Sequence, residues 1–158
     1  MPLSIVLYQP EIPPNTGNIA RTCAITGATL HLIKPLGFSI DDKQLKRAGL
    51  DYWHLLNLEI HENLDIFLET YGHRPLFFAT TKGTQYYDEV NYPEDSMIVF
   101  GRETSGLPQM IHDRYPDRRI KLPMLSHPDL RSLNLSNAAN IILYEALRQG
   151  GFKGLKTR

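Results

Sequence analysis

Short continuous apolar runs alternate along this chain with stretches that open on polar residues and show helical spacing. Leu3–Gln9 (LSIVLYQ) is apolar and β-branched and runs into the proline-rich stretch 10–14, which predicts a buried strand feeding a rigid loop. Asn15 then stands where it can cap a helix reaching about Ala28, with Gly27 near its end. Thr29–Ile33 predicts a second strand, closed by Pro35-Leu36-Gly37. Asp41–Ala48 reads as a short polar helix stopped at Gly49, and Leu56–Ile60 as a strand. Glu62–Tyr71 reads as a helix with Leu64, Phe67 and Leu68 on one face and Gly72 as its stop. Leu76–Thr80 and Met97–Phe100 are apolar throughout, as strands buried on both faces are. Pro108–Tyr115 predicts a short helix and Ile120–Leu122 a short strand. Asn134–Arg148 carries the clearest helical stripe, formed by Leu135, Ala138, Ala139, Ile142, Ala146 and Leu147 and ended by Gly150-Gly151. Strands alternating with helices predict an α/β fold, a mostly parallel sheet flanked by helices, in a single domain over residues 1–158.

Composition narrows the class. With 158 residues, 42% hydrophobic and 22% charged, the chain matches one ordinary globular domain and excludes disordered and disulfide-stapled ones. No apolar run approaches the roughly 20 residues of a membrane span. No signal-like segment precedes the first strand, and the lone cysteine, Cys23, agrees with a reducing, cytosolic setting. Net charge is zero but unevenly spread. Residues 51–100 carry two Lys/Arg against nine Asp/Glu, whereas residues 101–158 carry ten against five. A basic face built from the two ends of the chain therefore remains open.

Several familiar chemistries are excluded by spacing. No G-x-G-x-x-G dinucleotide loop is present, which removes a nicotinamide dehydrogenase. Gly101–Gly106 has the opening of a P-loop, but Leu107-Pro108 stand where Lys and Ser/Thr are needed to reach the phosphates. The six histidines are scattered, and none sits in H-E-x-x-H or beside a cysteine cluster, so no metal is expected. Three polar clusters remain, each placed just after an expected strand: Asn15–Thr22, Phe100–Pro108, and Ile120–Met124 with Ser132–Asn137. Singly, each also suits an ordinary capped helix or strand-to-helix loop. Together they describe one polar pocket at the carboxyl ends of strands, where open α/β sheets bind ligands.

Asn15-x-Gly17-Asn18-x-x-Arg21, Phe100-Gly101-x-Glu103-x-x-Gly106-Leu107, and Ile120-x-Leu122-Pro123-Met124 with Ser132-x-Asn134-x-Ser136 resemble the three motifs of the SPOUT-class RNA methyltransferases. The segment Gly37-Phe38-Ser39-x-Asp41-Asp42-Lys43-x-Leu45-x-Arg47-Ala48-Gly49-Leu50-Asp51-Tyr52 resembles their TrmL (YibK) branch, which methylates the wobble-nucleotide ribose of leucine tRNAs. The resemblance spans about residues 3–152 and implies no separate RNA-binding domain. It further implies a SPOUT fold with a C-terminal deep trefoil knot, a homodimer, and S-adenosylmethionine held by Ala79, Gly101, Leu122, Met124, Ser132 and Leu133. Arg21, Asn15, Glu103 and Asn134 are the implied catalytic set, with Arg21 orienting the 2'-hydroxyl and Glu103 clamping Arg21 or the substrate. Ile141 and Leu143, outside the main stripe of the last helix, fit a subunit interface. For the anticodon stem-loop of tRNA, Lys43, Lys46, Arg47 and Arg119 are the expected phosphate contacts, joined by a tail of Lys153, Lys156 and Arg158. Tyr52 and Trp53 are expected to stack on an unpaired anticodon base, with core packing the alternative for Trp53. Arg102 departs from the proline that some relatives carry. Methylation of another tRNA or rRNA ribose, or a cofactor-binding, RNA-associated dimer without turnover, are the alternatives.

Overall fold

The computed structural model describes residues 2–156, and for residues 49–51 the backbone only. Seven strands form one sheet in the order β3-β2-β1-β6-β4-β7-β5, and every pairing is parallel. They are β1 (Ser4–Tyr8), β2 (Thr29–Ile33), β3 (Asn57–His61), β4 (Leu76–Ala79), β5 (Gln85–Tyr86), β6 (Met97–Phe100) and β7 (Arg119–Lys121). The helices are α1 (Pro13–Thr26), α2 (Lys43–Gly49), α3 (Leu64–Tyr71), α4 (Gln109–Arg114) and α5 (Leu135–Gln149). Two 3-10 turns, Leu50–Leu55 and Pro116–Arg118, complete the path.

The apolar runs are continuous because both faces of the sheet are covered. In β1, Ile5 and Leu7 point into a core shared with Ile19, Ala20 and Cys23 of α1 and Ala139, Ile142, Leu143 and Ala146 of α5. Val6 points the other way, into a second core with Phe67 and Leu68 of α3 and Ile111 of α4. Leu143 is thus a core residue of its own chain at 1% exposure, not an interface residue, whereas Ile141 is 41% exposed. Among the described residues, no helix is long and apolar enough to cross a membrane.

α1 begins earlier than the sequence pattern predicts. Pro13 and Pro14 occupy its first turn and Ile12 is the capping residue, so Asn15 lies inside the helix with its side chain released for other contacts. Gly27, left-handed at φ 79°, ends the helix as expected. α2 crosses α1 very closely. A Cβ added at Gly17 would lie 2.5 Å from Ala48 Cβ and 2.6 Å from the Leu45 carbonyl oxygen, so only glycine permits this approach. α5 starts where the sequence places it, with the Asn134 side chain accepting from the N–H groups of Ser136 and Asn137.

Candidate active site

The chain after β1 turns into α1 on one face of the sheet, while the chain after its neighbour β6 turns into α4 on the other. Two adjacent strands whose exits diverge leave a crevice at their carboxyl ends. An open cleft of about 940 Å³ lies there, lined by the exits of β4, β6 and β7 and by the loop before α5.

The polar end of the cleft is a set of interlocked side chains. The Glu103 carboxylate accepts from the backbone N–H of Glu11 at 2.9 Å and of Ile12 at 2.8 Å, and from Asn15 Nδ2 at 3.4 Å. Asn134 Nδ2 donates to Asn15 Oδ1 at 3.0 Å. In return, the Glu11 carboxylate accepts from Thr104 N–H at 3.0 Å and Thr104 Oγ1 at 2.8 Å, and pairs with Arg102 at 3.3 Å. These bonds from Thr104, with the nearby Arg102 charge, hold the Glu11 carboxyl below its ordinary range. The 102–106 loop is closed by reciprocal backbone bonds between Arg102 and Gly106, and a Cβ at Gly101 would run into the Gly106–Leu107 backbone. Glycine at that position is therefore dictated by packing.

Ala79, Gly101, Leu122, Met124, Ser132 and Leu133, the six residues implied for the cofactor, all line this cleft beside Asn15, Glu103 and Asn134. Arg21 does not. It is exposed farther along α1, its guanidinium 4.7 Å over the Tyr52 ring and Nη2 donating to the Tyr52 hydroxyl at 3.4 Å. Glu103 consequently clamps the start of α1 rather than Arg21. Lys43, Lys46 and Arg47 sit on α2, with Lys46 paired to Asp41 at 3.2 Å. Arg119 bends back to the Pro116 carbonyl at 3.3 Å and to His112 at 3.5 Å, so it does not stand free toward a phosphate. Trp53 packs against the core, while Tyr52 is engaged with Arg21. In the tail, Lys153 approaches Glu94 at 3.4 Å, and Arg158 lies outside the described residues.

Sequence reasoning missed Thr80, Lys82, His112 and Arg131, which also line the cleft, as does Arg102 of the second polar cluster. The missed residues come from the exit of β4, from α4 and from the loop before α5, segments distant in sequence whose convergence no local pattern announces. Burial and the Arg119 and Lys82 charges lower the His112 pKa, favouring a neutral imidazole.

At the far edge of the sheet, His31, Glu59 and His61 bring possible ligand atoms within 4.8 Å of one another. His31 Nδ1 and His61 Nε2 are 3.0 Å apart, with the ring planes 13° apart and the centroids separated by 5.2 Å. That separation equals the N···N distance plus the two ring radii, so the rings meet edge to edge along one line. Lone pairs that face each other share a proton; they do not converge on an ion.

The model of the SpoU rRNA Methylase family matches residues 2–144. The chain belongs to that family. A tRNA (cytidine(34)-2'-O)-methyltransferase of Methylovorus glucosotrophus is 55% identical over 151 residues, covering 95% of this chain and 97% of the relative. A solved structure concerned with the 2-OH methylation of C/U34 on tRNA superposes with TM-score 0.89 at 43% identity, covering 94% of this chain and 96% of that one. The SpoU methyltransferase AviRb of Streptomyces viridochromogenes, in complex with AdoMet, shares the fold at TM-score 0.79 and 23% identity, covering 94% of this chain and 60% of that one.

Proposed function

We propose that this protein methylates the ribose 2'-hydroxyl of the wobble nucleotide, position 34, of tRNA, using S-adenosylmethionine. Leucine isoacceptors, entered through the anticodon stem-loop, are the proposed substrates, and the working form is a cytosolic homodimer. One observation carries the reading: a single cleft gathers the six implied cofactor residues against the Asn15–Glu103–Asn134 network. Its walls suit that cofactor. Ala79, Leu122, Leu133, Ala138 and Ile142 offer an apolar slot for an adenine, and the loop backbone beside Gly101 supplies main-chain donors and acceptors. Near-identical length and more than half identity to the Methylovorus enzyme support the position-34 substrate.

When bound, S-adenosylmethionine supplies a methyl group on a positively charged sulfur, already activated toward displacement by an oxygen. The protein's task is then alignment of the hydroxyl and management of its proton. A guanidinium is a poor base, so Arg21 orients the hydroxyl and an adjacent phosphate, with the proton passing to phosphate or solvent. Asn15 and Asn134 fix the ribose side of the cleft, and Glu103 holds the start of α1 on which Asn15 and Arg21 stand. The α2 cations Lys43, Lys46 and Arg47, with Arg119 once freed from its local bonds, contact the RNA backbone.

Arg21 lies six residues beyond Asn15, about 9 Å along the helix axis, outside its own chain's cleft. That separation supports a site completed by a second copy, with exposed Ile25, Ile141 and Tyr144 offering an apolar face. A C-terminal trefoil knot is part of the same reading. β7 lies between β4 and β5, and α5 is tied through Gln149 to Val90 and Tyr92 of the β5–β6 connection, which supports a chain end threaded past that connection.

The deciding experiment is methyl transfer from labelled S-adenosylmethionine to tRNA from cells lacking the protein, with the product mapped by nuclease digestion. Label on the 2'-oxygen of nucleotide 34 in leucine tRNA is the expected result. Label at another ribose overturns the substrate, and no label overturns the reaction. Arg21→Ala is expected to keep cofactor binding and abolish transfer.

A further inference from the structure

Tyr52 is expected to serve as a platform for an RNA base, and in this structure its ring carries the side chain of Arg21. The Arg21 guanidinium lies 4.7 Å over the ring centroid, with Nη2 donating to the phenolic oxygen at 3.4 Å. Among the described residues, no carboxylate forms an ion pair with Arg21. We propose that Tyr52 is the positioning residue for Arg21, an aromatic holder that fixes the guanidinium without neutralising it. The proposal rests on the role given above to Arg21.

The chemistry of the pair explains the residue type. A carboxylate in this place would hold an arginine through two strong bonds, cancel its charge and occupy the donors that the substrate needs. An aromatic face attracts the cation through its quadrupole, restricts its rotamers and leaves the full positive charge for an RNA phosphate or the 2'-oxygen. The local fold delivers the ring to its place. Gly17 lets α2 settle onto α1, Leu45 is fully buried there, and the following 3-10 turn Leu50–Leu55 carries Tyr52 back along α1 to Arg21. Its neighbour Trp53 packs against the main core and anchors the turn. The otherwise unexplained 37–52 segment thereby acquires a function: it orders a residue of α1 from outside.

The test is steady-state and single-turnover methyl transfer to tRNA by the full-length protein, with melting temperature and S-adenosylmethionine affinity measured in parallel. Tyr52→Leu is expected to lower kcat about tenfold, leaving the tRNA KM, cofactor affinity and melting temperature in place. Tyr52→Phe keeps the face and loses the hydroxyl bond, and is expected to lose no more than about threefold. Tyr52→Trp is expected to match Phe. Tyr52→Glu, which holds Arg21 but cancels its charge, is expected to fall at least as far as Leu. A raised tRNA KM at constant kcat in Tyr52→Leu would make the ring a base platform and overturn the proposal. Loss of melting temperature or cofactor affinity in step with activity would make it structural and also overturn it. Full activity of Tyr52→Glu removes the charge argument. Full activity of Arg21→Ala instead overturns the role of Arg21 itself, which separates the two readings.

Discussion

Glu103→Ala is the most informative substitution, because the structure gives this carboxylate an architectural duty measurable without any substrate. A helix start leaves up to four N–H groups without partners. In α1, Pro13 and Pro14 have none to offer, Asn15 N–H bonds the Ile12 carbonyl at 3.1 Å, and Ile12 supplies no side-chain cap. The remaining helix donor, Ile12 N–H, and the N–H of Glu11 just before it are taken by Glu103, 91 and 92 residues away in sequence. Loss of a helix cap costs about 0.5–2 kcal/mol. Loss of a negative charge at the positive helix end adds about 0.3–1 kcal/mol. Because Glu11 and Ile12 are partly open to water, which takes over the freed donors, about 2 kcal/mol is the expected total.

For a domain of this size that corresponds to a melting temperature lower by about 4–8 °C, measured at fixed protein concentration. Glu103→Gln retains one acceptor oxygen and loses the charge, so about half of that fall is expected. Amide hydrogen exchange locates the effect: protection at Glu11 and Ile12 should drop in Glu103→Ala while the β2 and β3 amides stay protected. If Glu103→Ala melts within about 1 °C of the parent and the Glu11 and Ile12 amides keep their protection, the capping argument is wrong.

Two further outcomes follow from packing and burial. Gly17→Ala, which in an open helix would stabilise by about 0.5–1 kcal/mol, is expected here to destabilise by about 1–3 kcal/mol, because α2 must retreat; a higher urea midpoint refutes it. Burial lowers the His31 pKa, and that of His61 likewise, so the unfolded chain binds more protons than the folded one below the ordinary histidine range. Stability therefore falls as pH drops, by about 1–2 kcal/mol between pH 7 and pH 5, and His31→Leu flattens that slope in urea titrations; an unchanged slope refutes the assignment.

What the sequence made legible has a physical pattern. Thr29–Ile33 and Met97–Phe100 match β2 and β6 residue for residue, since continuous apolar runs closed by turn-formers leave a buried strand little freedom at its ends. β5, two residues long, and the 3-10 turn Leu50–Leu55 carry no periodicity and were not anticipated. The start of α1 was misplaced because asparagine is a common cap, while the true arrangement uses two prolines and a carboxylate from another loop. Leu143 falls outside the apolar stripe that the sequence marks, yet α5 packs on both α1 and the sheet and so buries a wider face that includes it.

The candidate site divides along the same line. Where the polar clusters gather was readable, because glycines and polar residues following apolar strands mark the carboxyl edge of a sheet, whereas the six cofactor residues came only with the family resemblance. What each residue does there was not, because roles depend on partners distant in sequence. Glu11 and Glu103 illustrate this most clearly. Each carboxylate takes backbone N–H groups from the opposite loop, Glu103 from Glu11 and Ile12, and Glu11 from Thr104. This exchange locks the exits of β1 and β6 together at the point where the topology would otherwise leave them free to splay. The motif residues Asn15 and Glu103 are thus bound into the scaffold, whereas Arg21 is held by the Tyr52 ring and hydroxyl and, among the described residues, forms no ion pair. In the proposed reaction the two duties are complementary: the rigid polar floor of one chain would fix where the ribose lies, and the held cation, brought by the second copy, would meet the negative charge that arrives with it.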